Sequence, residues 1–325
     1  MTPPAADADL LAIVVARIGD TLLVTPALRA LREACPRGRL TVLAHPKRLA
    51  VLEHLPFVDR LGAIDPARSR LRGWMRGRRH DLAFVWGRDR PLLDYALRVS
   101  ERAVAFAHPE IAVGRARVES VAPPDRALHA VRERLLLAEA AGIRAGGLRL
   151  AYVVTETERA WARARLAGAG RPLVGLQMQS FPTKAHRNWP AQSFAELAAR
   201  IAQAHPMAHF VVLGDRDSRD AAALVSRRVP GKVDLAAGAA SLRESAALIA
   251  ALDLYVGVDT GPTHIAGALD VPMVGIYHHA YPGRNLAPLE RPRLRVLEQP
   301  EAGELAVDAV LSAAEALLAE SGVPA

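Results

Sequence analysis

The first residues able to do chemistry are Arg17-Ile18-Gly19-Asp20, which directly follow the apolar run 10–16. Glycine lets the backbone turn sharply and lets a substrate approach closely. An aspartate beside it can accept a proton from an acceptor hydroxyl, as a general base does. Aspartate also caps helices, so Asp20 either begins the next helix or serves as that base. The residues alone leave both roles open.

A second cluster, Asp259-Thr260-Gly261-Pro262-Thr263-His264, lies between a predicted strand at 254–258 and a predicted helix. The start of a helix presents free backbone N–H groups and the positive end of its dipole, which suit a pyrophosphate. His264 lies one turn into this helix and can donate to the same phosphates. The alternative is a capped helix with a core-facing histidine, because short Gly-Thr turns recur widely.

The third cluster is the polar loop 177–190, which follows an apolar run at 173–178. Four of its side chains can hydrogen-bond a diphosphate and offset the charge of a departing nucleotide: Ser180, Thr183, Lys184 and Arg187. Trp189-Pro190 is typical of a structural element, a rigid start for a helix that begins near Ser193.

Short apolar runs, rich in Ile and Val, predict strands that are buried on both faces and position these clusters. In the first half we predict strands at 10–16, 40–44, 81–86 and 103–107. We predict one helix that begins at an N-cap, Thr25, and another that spans 128–141. In the second half we predict strands at 173–178, 209–213, 254–258 and 272–277, and helices at 193–204, at 241–251 and after Gly261. Alternating strands and helices indicate parallel βαβ units.

The alternation is interrupted once, where a charged helix at 157–166 gives way to Ala-Gly-Ala-Gly-Arg-Pro. We therefore predict two Rossmann-like, doubly wound α/β domains, at 1–160 and 171–325. They are expected to face a central cleft at the carboxyl ends of both sheets. A last predicted helix, 305–318, can cross back to pack on the first domain.

Positive charge is concentrated in the first half of the chain. Residues 1–160 hold 26 basic and 18 acidic side chains, whereas residues 161–325 hold 16 of each. The densest part is a run of arginines without an acid between them: Arg68, Arg70, Arg72, Arg76, Arg78 and Arg79. The run is either a solvated helix face or a contact with an anionic acceptor or membrane surface. Nucleic acid is the least favoured partner, because stacking aromatics are few.

Composition excludes several other classes of protein. With 51% hydrophobic and 23% charged residues the chain is globular rather than disordered. A single cysteine, Cys35, excludes internal disulfides and cysteine-cluster metal sites, and it fits a reducing cytoplasm. Apolar runs are too short to span a bilayer, and the N-terminus lacks the basic stretch of a signal peptide. We therefore predict a cytoplasmic protein.

Two short patterns that suggest a metal are discounted. Asp215-Arg216-Asp217 matches the DxD pattern, but its arginine disfavours a cation, and we interpret it as a loop and helix cap. His278-His279 lacks further ligands, and adjacent residues rarely aim at one ion. Neither a full GxGxxG nor a Walker pattern occurs, which argues against an NAD enzyme or a P-loop ATPase.

The order and spacing of three segments resemble the ADP-heptose:lipopolysaccharide heptosyltransferases, glycosyltransferase family 9. These segments are RIGDTLLVTPALRAL, a loop that ends in RNWP, and DLAAGAASLRESAALIAALDLYVGVDTGPTHIAGALDVPMVGIY. The resemblance extends over essentially the whole chain, and DTGPTHIAGAL is its most specific part. It implies a GT-B fold and an inverting transfer, without metal or cofactor, of heptose from ADP-heptose to a lipopolysaccharide inner-core acceptor.

The resemblance also implies roles for individual residues. Asp20 becomes the general base. Asp259, Thr260, Gly261 and His264 become the donor-diphosphate site, together with Arg187, which stands where the family has Lys or Arg before Trp-Pro. The family's first domain holds the acceptor, so the basic first half suits an anionic glycolipid and a peripheral contact with the inner-membrane surface. For that acceptor we select Arg17, Arg76, Arg78 and Arg79.

Two loops depart from the family's pattern. Where this chain has the loop 177–190, many relatives have a stretch of smaller residues that includes glycine. Where it has YHHAYPGRNLAP, the family usually has a turn similar to Phe-Gly-Pro-Thr. These departures leave the sugar and the nucleotide base open. The alternatives are the same fold with another nucleotide-sugar donor or with a protein or other glycan acceptor, and a non-catalytic nucleotide-binding module. A basic nucleic-acid-binding protein comes last.

Overall fold

The computed structural model of the chain describes residues 2–73, 77, 79–108, 117–180, 182–300 and 304–322. The chain divides into two compact units, Met1–Val153 and Val154–Ala325. The charged helix near residue 160 therefore belongs wholly to the second unit, whereas the sequence-based boundary cuts through it. No helix within the described ranges combines the length and the apolar character that crossing a membrane requires.

The first unit contains one parallel sheet with helices around it. Its strands are β1 (Leu10–Val14), β2 (Leu40–Ala44), β3 (Arg60–Ala63), β4 (His80–Trp86), β5 (Ser100–Phe106) and β6 (Val118–Val121). Its helices are α1 (Ile18–Leu23), α2 (Thr25–Ala34), α3 (Pro66–Leu71), α4 (Arg90–Val99) and α5 (Ala130–Ala140), and a 3₁₀ turn spans Pro46–Val51. The strand order is β3-β2-β1-β4-β5-β6.

Strand β1 is central to this sheet. All five of its residues are buried, and Leu10 pairs with Leu40 of β2 on one side and with Leu82 of β4 on the other. One face of β1 and β4 packs against α4 through Leu92 and Leu93. The chain order of the strands reverses between β1 and β4, and ligands of open α/β sheets bind at the carboxyl ends beside such a reversal.

The second unit repeats this architecture. Its strands are β7 (Leu173–Gln177), β8 (His209–Leu213), β9 (Val233–Leu235), β10 (Leu254–Val258), β11 (Met273–His278) and β12 (Leu294–Gln299). Its helices are α6 (Glu156–Arg165), α7 (Ala191–Ala204), α8 (Arg219–Arg228), α9 (Leu242–Ala250), α10 (Gly261–Ala268), α11 (Gly283–Leu286) and α12 (Val307–Glu320). Two 3₁₀ turns span Pro182–Arg187 and Arg216–Ser218. The strand order is β12-β11-β10-β7-β8-β9.

Strands β7 and β10 are the buried centre of the second sheet, and every one of their residues is buried. Trp189 and Phe194 meet edge to face in the core of this unit, with ring centroids 4.8 Å apart. The last helix, α12, buries Val310 and Leu317 in this same core. Its apolar face is thus used within the second unit.

Helix α6 is fixed to the second unit at both ends. A capping box begins it, in which Thr155 accepts a hydrogen bond from the Glu158 N–H and Glu158 accepts one from the Thr155 N–H. The Glu158 carboxylate also accepts two hydrogen bonds from Arg243 of α9, at 2.7 and 2.6 Å. At the other end, Arg165 donates two to Asp234 of β9, at 2.9 and 2.8 Å.

The predicted doubly wound α/β architecture is confirmed, and each predicted strand is found to within a few residues. Residues 18–20 form the first turn of α1, so Asp20 does lie at the start of a helix. One local prediction is wrong. Thr25 does not cap α2, because its hydroxyl donates to the Leu22 carbonyl and accepts from the Ala151 N–H. The N-cap is Val24.

The Glu158–Arg243 contact makes the stability of the second unit depend on pH. The hydrogen bonds from Arg243 lower the pKa of Glu158 from 4.5 to about 2, and they outweigh burial, which acts to raise this pKa. The charged carboxylate therefore stabilises the fold at neutral pH, and this contribution is lost as the pH falls through the interval between these two values.

We expect Glu158→Gln to lower the free energy of unfolding at neutral pH by about 1 kcal/mol, and to have little effect at about pH 2. Urea denaturation at both pH values measures this. The control is Glu156→Gln, which removes a carboxylate from an exposed pair with Arg163 and is expected to leave the midpoint unchanged. Equal effects of the two substitutions would contradict the prediction.

Candidate functional site

A cavity of about 390 Å³ opens in the first unit at the carboxyl ends of β1 and β4. It therefore lies where the strand order reverses, the expected place for a ligand in a doubly wound sheet. Its walls come from the last residues of β4 and β5, from the segments that follow β1, β4 and β6, and from α1 and α5. The lining residues are Val15, Ala16, Arg17, Asp20, Val24, Trp86, Gly87, Arg88, Phe106, Pro123, Glu133 and Arg134.

Asp20 lies in the first turn of α1 and faces this cavity. Its side chain keeps 43% of its surface exposed, so a substrate hydroxyl can reach the carboxylate. Arg134 donates to Asp20 Oδ1 at 3.3 Å through Nη2, and to Glu133 Oε1 at 2.9 Å through Nη1. The Asp20 carboxylate is thus accessible and also held by a cation.

The structure separates the arginines selected for the acceptor. Arg17 lines the cavity beside Asp20. Arg79 precedes β4, whereas Trp86 at the cavity ends that strand, which puts roughly 20 Å of strand between them. Arg76 and Arg78 lie outside the described residues. The cavity instead contains Arg88 and Arg134, which the sequence analysis missed, although Arg88 directly follows a predicted strand as Arg17 does.

In the second unit, the start of α10 has no side-chain cap. Thr260 is its N-cap residue and Gly261 its first residue, but the Thr260 side chain makes no capping hydrogen bond to the helix backbone. Thr260 and Thr263 both donate to the carbonyl of Val258 in β10, at 3.4 and 2.5 Å. The hydroxyl of Tyr255 lies 2.9 Å from Thr263 Oγ1 and holds it in that position. Because no side chain caps the helix, its first N–H groups suit an anion.

Three buried charged or polar groups meet beside this helix start. Arg187 Nη1 donates to Asp259 Oδ2 at 3.1 Å, and His264 Nε2 lies 3.5 Å from Asp259 Oδ1. Burial acts to raise the pKa of Asp259, but the hydrogen bond from His264 and the charges of His264, Arg187 and Lys184 lower it below its usual range. A charged carboxylate repels other anions, and in this structure Asp259 orients the Arg187 and His264 side chains that it contacts.

Two polar atoms in this cluster lack partners among the described residues. Neither Arg187 Nε nor His264 Nδ1 has a hydrogen-bond partner there, although both atoms are buried. Gln299 donates to the Arg187 carbonyl at 2.9 Å, which fixes the backbone there. Buried polar groups are almost always satisfied, so these two atoms beside the start of α10 are available to a ligand.

The side chains of the polar loop between β7 and α7 contribute unequally to this site. Lys184 is close enough to lower the pKa of Asp259, so the structure brings it together with Arg187. Ser180 is half-buried and its N–H donates to Asn188 Oδ1 at 2.7 Å, whereas Thr183 is exposed. Trp189 is structural as predicted: its indole is buried and donates to the Leu305 carbonyl at 2.8 Å.

An aromatic cluster that sequence analysis did not anticipate covers Arg187. The guanidinium carbon lies 3.4 Å from the ring centroid of Tyr281, a cation–π contact. His186 meets His278 edge to face, with centroids 5.4 Å apart. Burial and the charges of His279, His186 and Arg187 lower the pKa of His278. The signal was the departure of YHHAYPGR from the family's pattern.

The interpretation of Asp215-Arg216-Asp217 as a loop and cap agrees with the structure. Asp215 Oδ1 accepts hydrogen bonds from the Asp217 N–H at 3.1 Å and from Ser218 Oγ at 3.2 Å, and so caps a turn. Among the residues with described positions, the His, Cys, Asp and Glu side chains form no group of three or more that could hold a metal ion.

Solved structures identify the fold. The chain is similar to the glycosyl transferase family 9 protein from Veillonella parvula, with a TM-score of 0.83 and 20% identity over 98% of this chain and 99% of that one. It is similar to E. coli ADP-heptose lps heptosyltransferase II, at 0.81 and 21% over 97% and 99%. E. coli heptosyltransferase WaaC with ADP-2-deoxy-2-fluoro heptose gives 0.67 and 19% over 94% and 99%. These likenesses support the GT-B fold predicted from the sequence.

Sequence comparisons identify the family. Among curated proteins, the chain is 25% identical over 281 residues to lipopolysaccharide heptosyltransferase 3 of Escherichia coli, and the match covers 80% of each protein. The model of glycosyltransferase family 9 (heptosyltransferase) matches residues 112–302, more than half of the chain. The chain therefore belongs to glycosyltransferase family 9, the heptosyltransferases.

Proposed function

We propose that this enzyme transfers heptose from ADP-heptose to an acceptor of the lipopolysaccharide inner core, with inversion and without a metal ion. The observation that carries the proposal is the buried group of Arg187, Asp259 and His264 beside the uncapped start of α10. The names of the relatives support the sugar: one is a lipopolysaccharide heptosyltransferase, and another was solved with a fluorinated ADP-heptose.

In this proposal the second unit binds the donor. Backbone N–H groups at Thr260 and Gly261 and the dipole of α10 stabilise the diphosphate. Arg187 Nε donates to it, and His264 Nδ1 donates to it in the imidazolium form, since Nε2 already faces Asp259. Both atoms are buried and have no partner within the described residues. Lys184 adds a second cation, and Ser180 and Thr183 add hydroxyls from the same loop. The positive charge offsets the charge that develops on the departing ADP.

The first unit binds the acceptor in the cavity that contains Asp20. Asp20 accepts the proton of the acceptor hydroxyl while that oxygen forms a bond to the anomeric carbon of heptose. The bond from this carbon to the diphosphate oxygen breaks in the same step, and ADP leaves with the bonding electrons. One displacement of this kind inverts the configuration. Three arginines against two carboxylates in the cavity give it a net positive charge, which suits a phosphorylated glycolipid.

The placement of charge along the chain supports a peripheral location. The excess of basic side chains lies in residues 1–160, the part that binds the acceptor in this proposal. Anionic lipids attract basic surfaces near a membrane. We infer that the enzyme works in the cytoplasm and meets its glycolipid acceptor at the inner-membrane surface, where Arg17 and the arginine run at 68–79 assist binding.

We expect Asp20→Asn to reduce transfer by at least about 100-fold, because an amide cannot accept the proton. Release of ADP from ADP-heptose in the presence of inner-core lipopolysaccharide measures the rate. Calorimetry should give an unchanged Kd for ADP, since the donor residues lie in the other unit. The control, Asp7→Asn, removes an exposed carboxylate before β1 and should keep the rate. An active Asp20→Asn enzyme would rule out the assignment of the base.

We expect Arg187→Lys to weaken ADP binding about tenfold, which corresponds to about 1.4 kcal/mol. Lysine keeps a charge beside Asp259 but loses the planar fork that reaches both the carboxylate and the Tyr281 ring. Calorimetry with ADP measures the effect. The same measurement with UDP and GDP tests which nucleotide base the enzyme prefers, and we expect ADP to bind most tightly to the wild-type enzyme. Arg200→Lys, more than two turns into α7, is the control. Wild-type affinity in Arg187→Lys would contradict the proposal.

Chelation tests the absence of a metal requirement. Because cationic side chains and a helix dipole neutralise the leaving group, an excess of EDTA should leave the rate of ADP release unchanged. The measurement compares untreated enzyme, chelated enzyme and chelated enzyme with added Mg²⁺, Mn²⁺ or Fe²⁺. Activity that is lost with EDTA and restored by one of these ions would show that the reaction needs a metal.

A further inference from the structure

We propose that Arg134 is a positioning residue for Asp20, and that Glu133 controls how strongly Arg134 binds it. The proposal rests on the proposed function, in which Asp20 is the general base. It assigns a role to two neighbouring residues of α5 that neither the sequence patterns nor the names of the relatives single out.

The position of Arg134 is fixed by the sheet. Its backbone carbonyl accepts a hydrogen bond of 2.8 Å from the indole N–H of Trp86, at the end of β4. Trp86 is buried and stacks on Phe84 of the same strand, with ring centroids 6.0 Å apart and planes inclined by 23°. The arginine side chain itself is only 20% exposed. A long side chain that is anchored in this way loses little further entropy when it binds a carboxylate.

The guanidinium of Arg134 is shared between two carboxylates. Nη1 is 2.9 Å from Glu133 Oε1, whereas Nη2 is 3.3 Å from Asp20 Oδ1. The shorter contact is therefore the one to Glu133, and the longer one is to the proposed base. These three groups together carry one negative charge. Asp20 is oriented by a cation that has a second partner, rather than being committed to an exclusive ion pair.

This arrangement matters when the proton moves. Once Asp20 takes the proton of the acceptor hydroxyl, its charge is gone and its contact with Arg134 weakens. Glu133 remains as the counter-ion, so the reaction does not leave a half-buried guanidinium without a partner. Without Glu133, Arg134 would pair with Asp20 alone, and protonation of Asp20 would be less favourable. Without Arg134, two carboxylates would face each other, and protonation would be more favourable.

The two changes therefore act in opposite directions, which a purely structural role of α5 does not predict. The other charged groups that line the cavity, Arg17 and Arg88, remain the same in every variant. The readout is the pH profile of kcat/KM, whose acid limb reports the base of the free enzyme.

The experiment measures this profile for Arg134→Gln and Glu133→Gln, with ADP-heptose and inner-core lipopolysaccharide as substrates. We expect the acid limb to move up by about 1 pH unit in Arg134→Gln and down by a similar amount in Glu133→Gln. Arg134→Lys keeps the charge but not the fork, so it should lower kcat about tenfold or more with a smaller displacement of the limb. The matched control is Arg132→Gln, which removes an exposed arginine of the same helix and should leave the limb in place.

Thermal melting verifies that each variant is folded, and Arg134→Met, which also removes the charge, replaces Arg134→Gln if the latter does not fold. Limbs that coincide with the wild type, or that move in the same direction in both variants, would overturn the role of Arg134 and Glu133. If Asp20→Asn is inactive in that case, the proposed function still holds. An active Asp20→Asn enzyme would instead remove the base itself, and the present proposal with it.

Discussion

The architecture of each unit depends on one constraint: parallel strands that are buried on both faces have all their carboxyl ends at one edge of the sheet. In the first unit β1 and β4 end at the cavity, and Arg17 and Arg88 follow them directly. In the second unit β7 and β10 are the fully buried centre, and the polar loop and the start of α10 come next. These strands are mostly apolar, so the chemistry is concentrated in the connections that follow them.

The site of the second unit also shows how burial and function are combined. Arg187 and Asp259 are each about nine-tenths buried, and an ion pair so placed costs more desolvation than an exposed one. The pair is accompanied by an aromatic ring over the cation, a histidine beside the carboxylate and donors that have no partner among the described residues. These features add little to stability, but they hold positive charge in a fixed direction before a ligand arrives, which is what electrostatic stabilisation of a leaving group requires.

Much of the fold could be predicted from the sequence, because the inner strands are continuous apolar runs. The strands that escaped prediction are β3, β6, β9 and β12, the outermost strands of the two sheets. An outer strand has one neighbour and a partly exposed surface, so Arg60–Ala63 and Val118–Val121 carry no apolar run. The site divides in the same way. Local spacing indicated Asp20 and the cluster at 259–264, whereas Arg134 lies 114 positions from Asp20 and only the folded chain brings them together.

The attachment of α6 has a practical consequence for dissecting this enzyme. The first helix of the second unit is α6, and its capping box starts at Thr155. Two forked ion pairs then join this helix to α9 and β9. A fragment that starts at residue 171, where the glycine-rich stretch suggests a natural break, would discard this helix. It would strip Arg243 and Asp234 of their partners and expose the surface that α6 covers. A separately expressed second unit should therefore start upstream of Thr155.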